Sequence, residues 1–174
     1  MRIGFGYDSH VFEAGKPLVL GGMPIPGCDG LRAHSDGDVL IHAVIDALFG
    51  AAALGDIGSH FPDTDERWRG ADSALLLAQA VDELAGRGFR VGNLDATVIC
   101  ERPRLRPHAD AIRGRLAALL RVDASRVSVK GKTNEGMDAV GAGAGIVAHA
   151  AVLLEETAPE EMKTQSPGQP GNMI

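Results

Sequence analysis

The sequence predicts an α/β sandwich, an α+β fold in which one mixed β-sheet carries its helices on one face. Segments that alternate apolar and polar residues indicate strands, and segments with apolar residues at helical spacing indicate helices. Along the chain these segments follow the order β-β-α-α-β-α-β-β. The chain has 174 residues, of which 45% are hydrophobic and 23% charged, so one globular domain with its own core is expected.

The first part of the chain is predicted to form two strands and a helix. Strands are expected over 2–10 and 17–20, whereas a Gly-Gly pair and the Pro- and Gly-rich stretch 24–30 are expected to be connections. The helix is expected over 38–53. Its buried stripe consists of apolar residues at helical spacing: Ile41, Val44, Ile45, Leu48 and Phe49.

The middle of the chain begins with a long polar loop over 55–70, and a loop of this length in a small domain is often functional. A second helix is expected over 72–87, with Asp72 or Ser73 as its N-cap. A strand is expected over 89–101, where apolar and polar residues alternate.

The last part is predicted to contain a helix over 107–120 and strands over 126–132 and 145–155. After this point Pro, Gly and acidic residues replace the apolar pattern. We therefore expect a single catalytic domain over 1–155 and a disordered C-terminal tail over 156–174.

Charge and composition exclude several classes of function. The net charge of −6 argues against a nucleic-acid partner, and no apolar run is long enough to span a membrane. The N-terminal segment lacks the pattern of a signal peptide, so a cytoplasmic location is expected. Cys28 and Cys100 show no metal-binding spacing and are expected to be reduced and structural.

Asp8, His10 and His42 are predicted to bind a divalent metal ion. Alternate residues of a strand point to the same face, so Asp8 and His10 project together. His42 lies on the predicted first helix, one turn from Asp38 and from Asp46, whose carboxylates are expected to orient its imidazole. One carboxylate and two imidazoles suit zinc and leave a coordination position open. The alternative is a polar strand end beside a core histidine.

Two segments are candidates for phosphate binding. The run from His34 to Asp38 leads into a helix N-terminus, where free N–H groups favour anions; alternatively, Ser35, Asp36 or Asp38 is simply the N-cap. Lys132 and Thr133, at a strand end, are placed to donate to phosphate oxygens. There Glu135 can hold a magnesium ion. The alternative for that segment is an ordinary solvated strand end.

A third candidate is the basic loop after the strand over 89–101. Arg102, Arg104 and Arg106 lie close together in this loop and suggest a nucleotide or phosphate ligand. The alternative is a solvated basic loop that caps the next helix.

Four segments carry a family resemblance: RIGFGYDSH (2–10), AHSDGDVLIHAVIDALFGAAALGDIGSHFPDTD (33–65), NLDATVICERPRLRPH (93–108) and VKGKTNEG (129–136). With them the chain resembles the 2-C-methyl-D-erythritol 2,4-cyclodiphosphate synthase family of the non-mevalonate isoprenoid pathway. The resemblance runs from about residue 1 to residue 154. It implies conversion of 4-diphosphocytidyl-2-C-methyl-D-erythritol 2-phosphate into the cyclic diphosphate and CMP, by attack of the 2-phosphate on the β-phosphorus.

The resemblance also implies roles for individual residues. Zinc is bound by Asp8, His10 and His42, and magnesium or manganese by Glu135, while His34 and Thr133 stabilise the transition state. The substrate-binding residues that it implies are Asp8, Ser9, His10, His34, Ser35, Asp56, Ile57, Gly58, Phe61, Pro62, Asp63, Thr64, Asp65, Cys100, Glu101, Arg102, Pro103, Arg104, Leu105, Arg106, Lys132, Thr133, Asn134 and Glu135.

A homotrimer with active sites between protomers is implied by resemblance alone. Ala139 and Ala142 depart from the family, which often has an aromatic residue and an arginine there, lining a cavity on the trimer axis that can hold isoprenoid diphosphates. Binding of such a ligand is therefore left open. Two other readings use the same ligands: a phosphohydrolase with a zinc-activated water, and a zinc-stabilised trimeric binding module. The binding module requires a closed four-ligand site, whereas three ligands are evident.

Overall fold

A computed structural model of the chain describes residues 1–157 and shows one mixed five-stranded sheet with its helices on one face, as predicted. The strands are β1 (Arg2–Leu20), β2 (Met23–Leu31), β3 (Phe89–Ile99), β4 (Val127–Lys132) and β5 (Gly145–Glu156). The helices are α1 (Val39–Ala52), α2 (Ile57–His60), α3 (Ser73–Gly86), α4 (Ala109–Leu120) and α5 (Asp138–Gly141), with 3₁₀ turns at Glu66–Trp68 and Ala124–Arg126.

The sheet has the order β2-β1-β5-β3-β4. β5 is antiparallel to both of its neighbours, β1 and β3, and β4 is parallel to β3. The paired part of β1 therefore runs in the same direction as β3 and β4. His10 pairs with Ile146, and Ile99 lies between Val147 and Lys132. The residues that follow β3, β4 and the part of β1 paired with β5 therefore lie at the same end of the sheet.

The start of the sheet differs from the prediction. The two short strands expected over 2–10 and 17–20 form one strand, β1, and the stretch 24–30, expected to be a connection, belongs to β2. Gly21 and Gly22 form the turn between them, with φ of 60° and 72°, as a two-residue hairpin turn requires. The prolines of β2 are accommodated because β2 is an edge strand. The side of an edge strand that faces away from the sheet forms no strand–strand hydrogen bonds, so the N–H that proline lacks is not needed there.

The two faces of β1 differ in side-chain size. Gly4 and Gly6 lie against α1, and a Cβ atom on either glycine would collide with the carbonyl oxygen of Ala47 or Ala43. On the other face Ile3, Phe5 and Tyr7 are exposed. The strand backbone therefore approaches the helix backbone directly, while its large apolar side chains point away from the core.

The three predicted helices form, as α1, α3 and α4, whereas the short helices α2 and α5 were not predicted. All of α1 except Asp46 and Gly50 is buried, so its apolar surface is wider than the predicted stripe, because β1, β5 and α3 all pack against it. Asp72 caps α3 through the N–H of Ala74, as expected. None of the described helices is both long and apolar enough to cross a membrane.

The last strand ends at Glu156, one residue after the predicted strand end at 155. Glu156 pairs with Phe89, and the N–H of Thr157 donates to the carbonyl of Gly88. The predicted tail over 156–174 therefore begins with two ordered residues, and the rest of it lies outside the described residues.

Candidate active site

Asp8, His10 and His42 form a compact triangle of potential metal-ligand atoms. Asp8 Oδ2 lies 2.9 Å from both His10 Nε2 and His42 Nδ1, and the two nitrogens are 3.2 Å apart. Ligand atoms of a tetrahedral zinc ion, each about 2.0–2.1 Å from the metal, lie about 3.3 Å from one another. The triangle therefore fits such an ion with small adjustments, and it confirms that the three predicted residues meet.

The fold explains why these residues converge. Gly4, Gly6, Asp8 and His10 occupy successive positions on the inner face of β1, and the two glycines let α1 approach closely enough for His42 to reach the carboxylate. Ser9, between the two ligands, is exposed on the other face, and its N–H donates to Asp8 Oδ1. Its side chain is therefore not part of the triangle.

Electrostatics favour a charged carboxylate within the triangle. Burial opposes ionisation of Asp8, but hydrogen bonds and charge from His10 and His42 outweigh it and hold the pKa of that carboxyl well below its usual range. An anionic oxygen between two imidazole nitrogens is a donor set for a divalent transition metal.

The second nitrogen of His42 is held by hydroxyl groups. Nε2 lies 3.0 Å from Ser73 Oγ and 3.1 Å from Ser35 Oγ. The expectation that Asp38 and Asp46 orient this ring is wrong. Both carboxylates instead bond to backbone: Asp46 accepts from the N–H of Ile57, whereas Asp38 accepts from three N–H groups around the start of α1.

The N-terminus of α1 does not present free N–H groups to a ligand, contrary to the phosphate-site prediction. Asp38 is the N-cap, is 0% exposed, and accepts from the N–H groups of Gly21, Gly22 and Ile41. Burial raises the pKa of the Asp38 carboxyl, although these bonds favour its charged form. The capping alternative therefore holds for Asp38, because the helix start is packed in the core.

His34 lies beside the segment that ends the long loop. Its carbonyl accepts from the N–H of Gly70, and the charge of Glu66 is nearby. Its Nε2 is buried and makes no hydrogen bond with any residue that the structure describes. Such a group usually acquires a water or ligand partner.

A second cluster forms where β3 and β4 end. The N–H of Cys100 donates to the carbonyl of Lys132, and Glu101 Oε1 accepts from the N–H of Asn134 at 2.9 Å. Thr133 Oγ1 donates to Glu135 Oε1 at 2.8 Å. The predicted segments 100–106 and 132–135 are therefore one site rather than two.

The basic loop 100–106 is anchored at its centre. Leu105 is buried against Gly131, where a Cβ atom would come within 2.8 Å of the Leu105 side chain. Burial, then the Glu101 charge, raises the pKa of the Cys100 thiol to about 11, which makes that thiol unreactive. The three arginines of the loop are exposed, and Arg102 lies over the ring of Phe12, 5.5 Å from its centroid.

The long polar loop over 55–70 contains two short capped turns. Asp56 caps α2 through Ser59, and Asp65 caps the following 3₁₀ turn through Arg67. The start of the loop is held by α1, because Asp46 accepts from the N–H of Ile57. Burial raises the pKa of the Asp46 carboxyl, and the charges of Asp56 and Asp8 raise it further. Phe61 packs edge-to-face on Trp68, whereas Asp63 and Thr64 are exposed.

Comparison with known proteins shows the family of this chain. The YgbB family matches residues 1–155. The chain belongs to the YgbB family. One curated relative is the 2-C-methyl-D-erythritol 2,4-cyclodiphosphate synthase of Alcanivorax borkumensis, 54% identical over 155 residues, which are 89% of this chain and 97% of the relative.

Solved structures of the YgbB family agree with this fold. A 2C-methyl-D-erythritol-2,4-cyclodiphosphate synthase in a form with bound CDP is 44% identical, has a TM-score of 0.82, and is matched over 88% of this chain and 100% of the other. The bifunctional IspDF of Campylobacter jejuni is 40% identical, with a TM-score of 0.86 over 89% of this chain. This chain spans 42% of that bifunctional protein.

The structure keeps the two clusters of this YgbB-family chain apart. The metal triangle lies on β1 and α1, and the second cluster follows β3 and β4, with β5 between the two strand pairs. Within residues 1–157, no hydrogen bond joins the two clusters.

Sequence reasoning missed the roles of Ser73 and Asp36 beside His42. Ser73 was expected at most as a helix cap, and Asp36 as an alternative cap of α1. Asp72 already caps α3, so a buried serine directly after it indicates that the serine has a second role. This signal could not be used in advance, because the burial of Ser73 is visible only in the structure.

Proposed function

We propose that this chain converts 4-diphosphocytidyl-2-C-methyl-D-erythritol 2-phosphate into 2-C-methyl-D-erythritol 2,4-cyclodiphosphate and CMP. An oxygen of the 2-phosphate forms a bond to the β-phosphorus, and the bond from that phosphorus to the bridging oxygen breaks, so that CMP leaves with the electron pair. The observation that carries the proposal is the Asp8–His10–His42 triangle in a chain of this family.

The triangle supports a zinc site, since its one carboxylate and two imidazoles suit that ion. When bound there, zinc supplies Lewis-acid polarisation of phosphate oxygens and a template for the reacting groups. Ser35 lies beside His42 and is placed to donate its hydroxyl hydrogen to a phosphate oxygen. Nε2 of His34, which has no hydrogen-bond partner among residues 1–157, is the second group that we assign to phosphate on this side.

The cluster after β3 and β4 is proposed to hold the nucleotide half of the substrate. Lys132 and Thr133 would donate to phosphate oxygens, and Glu135 would hold magnesium or manganese, because hard cations prefer carboxylate and phosphate ligands. The loop 100–106 is assigned to cytidine and ribose, and a similar solved structure has CDP bound, which supports a cytidine diphosphate ligand. Intramolecular phosphoryl transfer depends mainly on positioning and charge neutralisation, which these groups supply.

The loop residues Asp56 to Gly58 and Phe61 to Asp65 are proposed to cover the methylerythritol part of the substrate. The hydrogen bond from the N–H of Ile57 to Asp46, on the helix that carries His42, supports this assignment for the first of these segments. Residues 1–155 form the catalytic domain, and both free cysteines suit a reducing compartment, so we propose a cytoplasmic location.

A homotrimer with active sites between protomers completes the proposal. Ile3, Phe5 and Tyr7 form an exposed apolar row on the outward face of the sheet, a surface suited to burial against other copies. The two clusters are separate within one chain, and an interface can bring the triangle of one protomer to the nucleotide cluster of the next.

Phosphorus NMR of the products tests the reaction. With the cytidylylated substrate, zinc and magnesium, we expect the coupled pair of signals of a cyclic diphosphate together with CMP. Linear phosphate products would instead show a phosphohydrolase, and no turnover would leave a binding module.

The metal site is tested in the same assay with a matched pair of variants. Asp8→Asn is expected to lose zinc and activity together. Asp123→Asn is its control, because Asp123 caps the 3₁₀ turn that precedes β4, at the opposite end of the strands. This variant should keep both its zinc and its activity. Full zinc content in Asp8→Asn would contradict the ligand assignment.

A further inference from the structure

The two ring nitrogens of His42 lie in different surroundings. Nδ1 faces the metal triangle, 2.9 Å from Asp8 Oδ2. Nε2 faces away from it, 3.0 Å from Ser73 Oγ. A neutral imidazole carries a hydrogen on only one nitrogen, so the partner at Nε2 decides whether Nδ1 presents a lone pair to a metal.

Ser73 has no freedom to donate to His42. Its side chain is 0% exposed, and its hydroxyl donates to Asp36 Oδ1 at 2.5 Å. Asp36 Oδ2 also accepts from the Ser73 N–H at 3.0 Å, and Asp36 Oδ1 from the Asp38 N–H at 3.1 Å. Because a hydroxyl has one hydrogen and that hydrogen is committed to the carboxylate, Ser73 Oγ can only accept from His42 Nε2.

We propose that Asp36 and Ser73 are positioning residues that fix the tautomer of His42. They hold the hydrogen on Nε2 and direct the lone pair of Nδ1 at the metal triangle. The chain Asp36–Ser73–His42 resembles the carboxylate–histidine–metal arrangements that orient ligands in other proteins, with a hydroxyl inserted between carboxylate and ring. The inference rests on the proposed metal site, to which neither residue belongs.

The same tautomer leaves the Ser35 hydroxyl hydrogen available. Ser35 Oγ accepts from the N–H of Gly37 and lies 3.1 Å from His42 Nε2. Because Nε2 carries the hydrogen, Ser35 cannot donate to it and can donate to a ligand instead. The second hydroxyl beside the ring is thereby released for the phosphate role proposed for it.

Zinc affinity of three variants, measured by competition with a chelator, tests this proposal. Ser73→Ala is expected to weaken zinc binding roughly 10- to 100-fold, the usual effect of removing such a partner. Ser73→Thr keeps a hydroxyl and is expected to restore most of the affinity. Asp72→Ala is the matched control, because Asp72 caps the same helix through the N–H of Ala74 and, within the described structure, does not contact His42.

The control separates a positioning role from a structural one. Asp72→Ala should lower the melting temperature yet keep the wild-type zinc affinity. Wild-type zinc affinity in Ser73→Ala, or an equal loss in Asp72→Ala, would overturn the proposal. With either of these two results, the proposed function still stands if the wild-type protein binds zinc and forms the cyclic product.

Long-range ¹H–¹⁵N spectra of the histidine-labelled wild-type protein give a readout that does not depend on folding of a variant. With zinc bound, the ring of His42 should carry its hydrogen on Nε2 and coordinate through Nδ1. The ring is identified by its loss in His42→Gln. Coordination through Nε2 would overturn the proposal.

Discussion

Two carboxylates of the site have different neighbours. Asp8 is half-buried between two imidazoles, whereas Glu135 is exposed and accepts from the hydroxyl of Thr133. Asp8 is therefore suited to a permanent ion, and Glu135 to an ion that arrives with the substrate diphosphate.

Glu135→Gln is expected to leave zinc content normal and to lower turnover roughly 10²- to 10³-fold, because charge on the departing CMP phosphate loses its counter-ion. Metal analysis and steady-state rates at limiting magnesium measure the two effects. Glu155→Gln is a control, since Glu155 forms an ion pair with Arg90 at the other end of the sheet from Glu135. Wild-type turnover in Glu135→Gln would reduce Glu135 to a polar strand-end residue.

The residues that the sequence could and could not predict differ in how their contacts arise. Asp8 and His10 were predictable because strand alternation alone puts them on one face. The contact of His42 with Ser73, and that of Ser73 with Asp36, depend on how α1 packs beside α3, and no local pattern encodes that packing. For the same reason the Asp38 carboxylate was expected to orient the imidazole of His42. The start of α1 instead lies in the core, where this carboxylate bonds to the hairpin turn at Gly21 and Gly22.

Among the elements, the long loop over 55–70 is more firmly held than its polar sequence suggests. His60 stacks on Phe49 with ring centroids 3.8 Å apart. Its Nε2 lies 3.0 Å from the carbonyl oxygen of Leu54, and its Nδ1 lies 3.2 Å from Glu83. This one side chain ties the loop to α1 and α3, so motion of the loop is expected on either side of it rather than at it.

His60→Ala is expected to speed amide exchange over 57–65 by roughly 2- to 10-fold, since a stacked ring pair contributes about 0.5–1.5 kcal/mol. Hydrogen exchange followed by mass spectrometry measures this. Arg87→Ala is the control, because Arg87 is the other ionic partner of Glu83 and lies outside the loop. Unchanged exchange in His60→Ala would show that the loop is held by its caps alone.

β2 shows where element prediction from sequence fails. Its prolines and glycines are typical of turns, and only its place at the edge of the sheet makes them acceptable in a strand. By contrast, α1 and β3 were predicted nearly to the residue, because their apolar periods continue along the whole element.

At the scale of the whole molecule, the sheet has helices on one side and an apolar row on the other. Ile3 is 79% exposed and Phe5 66%, and the part of β1 that carries them pairs with β5 alone among the described strands. Exposed apolar side chains grouped on one strand are typical of a surface that is covered in an assembly.

Phe5→Glu is expected to convert the proposed trimer into monomers, because three charges would be buried at the interface without partners. Light scattering after gel filtration should give a molar mass of about three times 18.1 kDa for the wild type and about 18.1 kDa for this variant. Leu75→Glu is the matched control: Leu75 is 62% exposed but lies on α3, away from the sheet face. A monomeric wild type, or a trimeric Phe5→Glu variant, would contradict the assembly.

The inner face of β1 also suggests a way to look for similar centres in unrelated sequences. Every second residue from Gly4 to His10 faces α1, first two without side chains and then two with metal-binding ones. The pattern G-x-G-x-D-x-H thus encodes both clearance for a helix and ligands to meet it, within seven consecutive residues. A strand with this pattern, followed by an apolar helix with one histidine in its first turn, is therefore worth testing for bound metal.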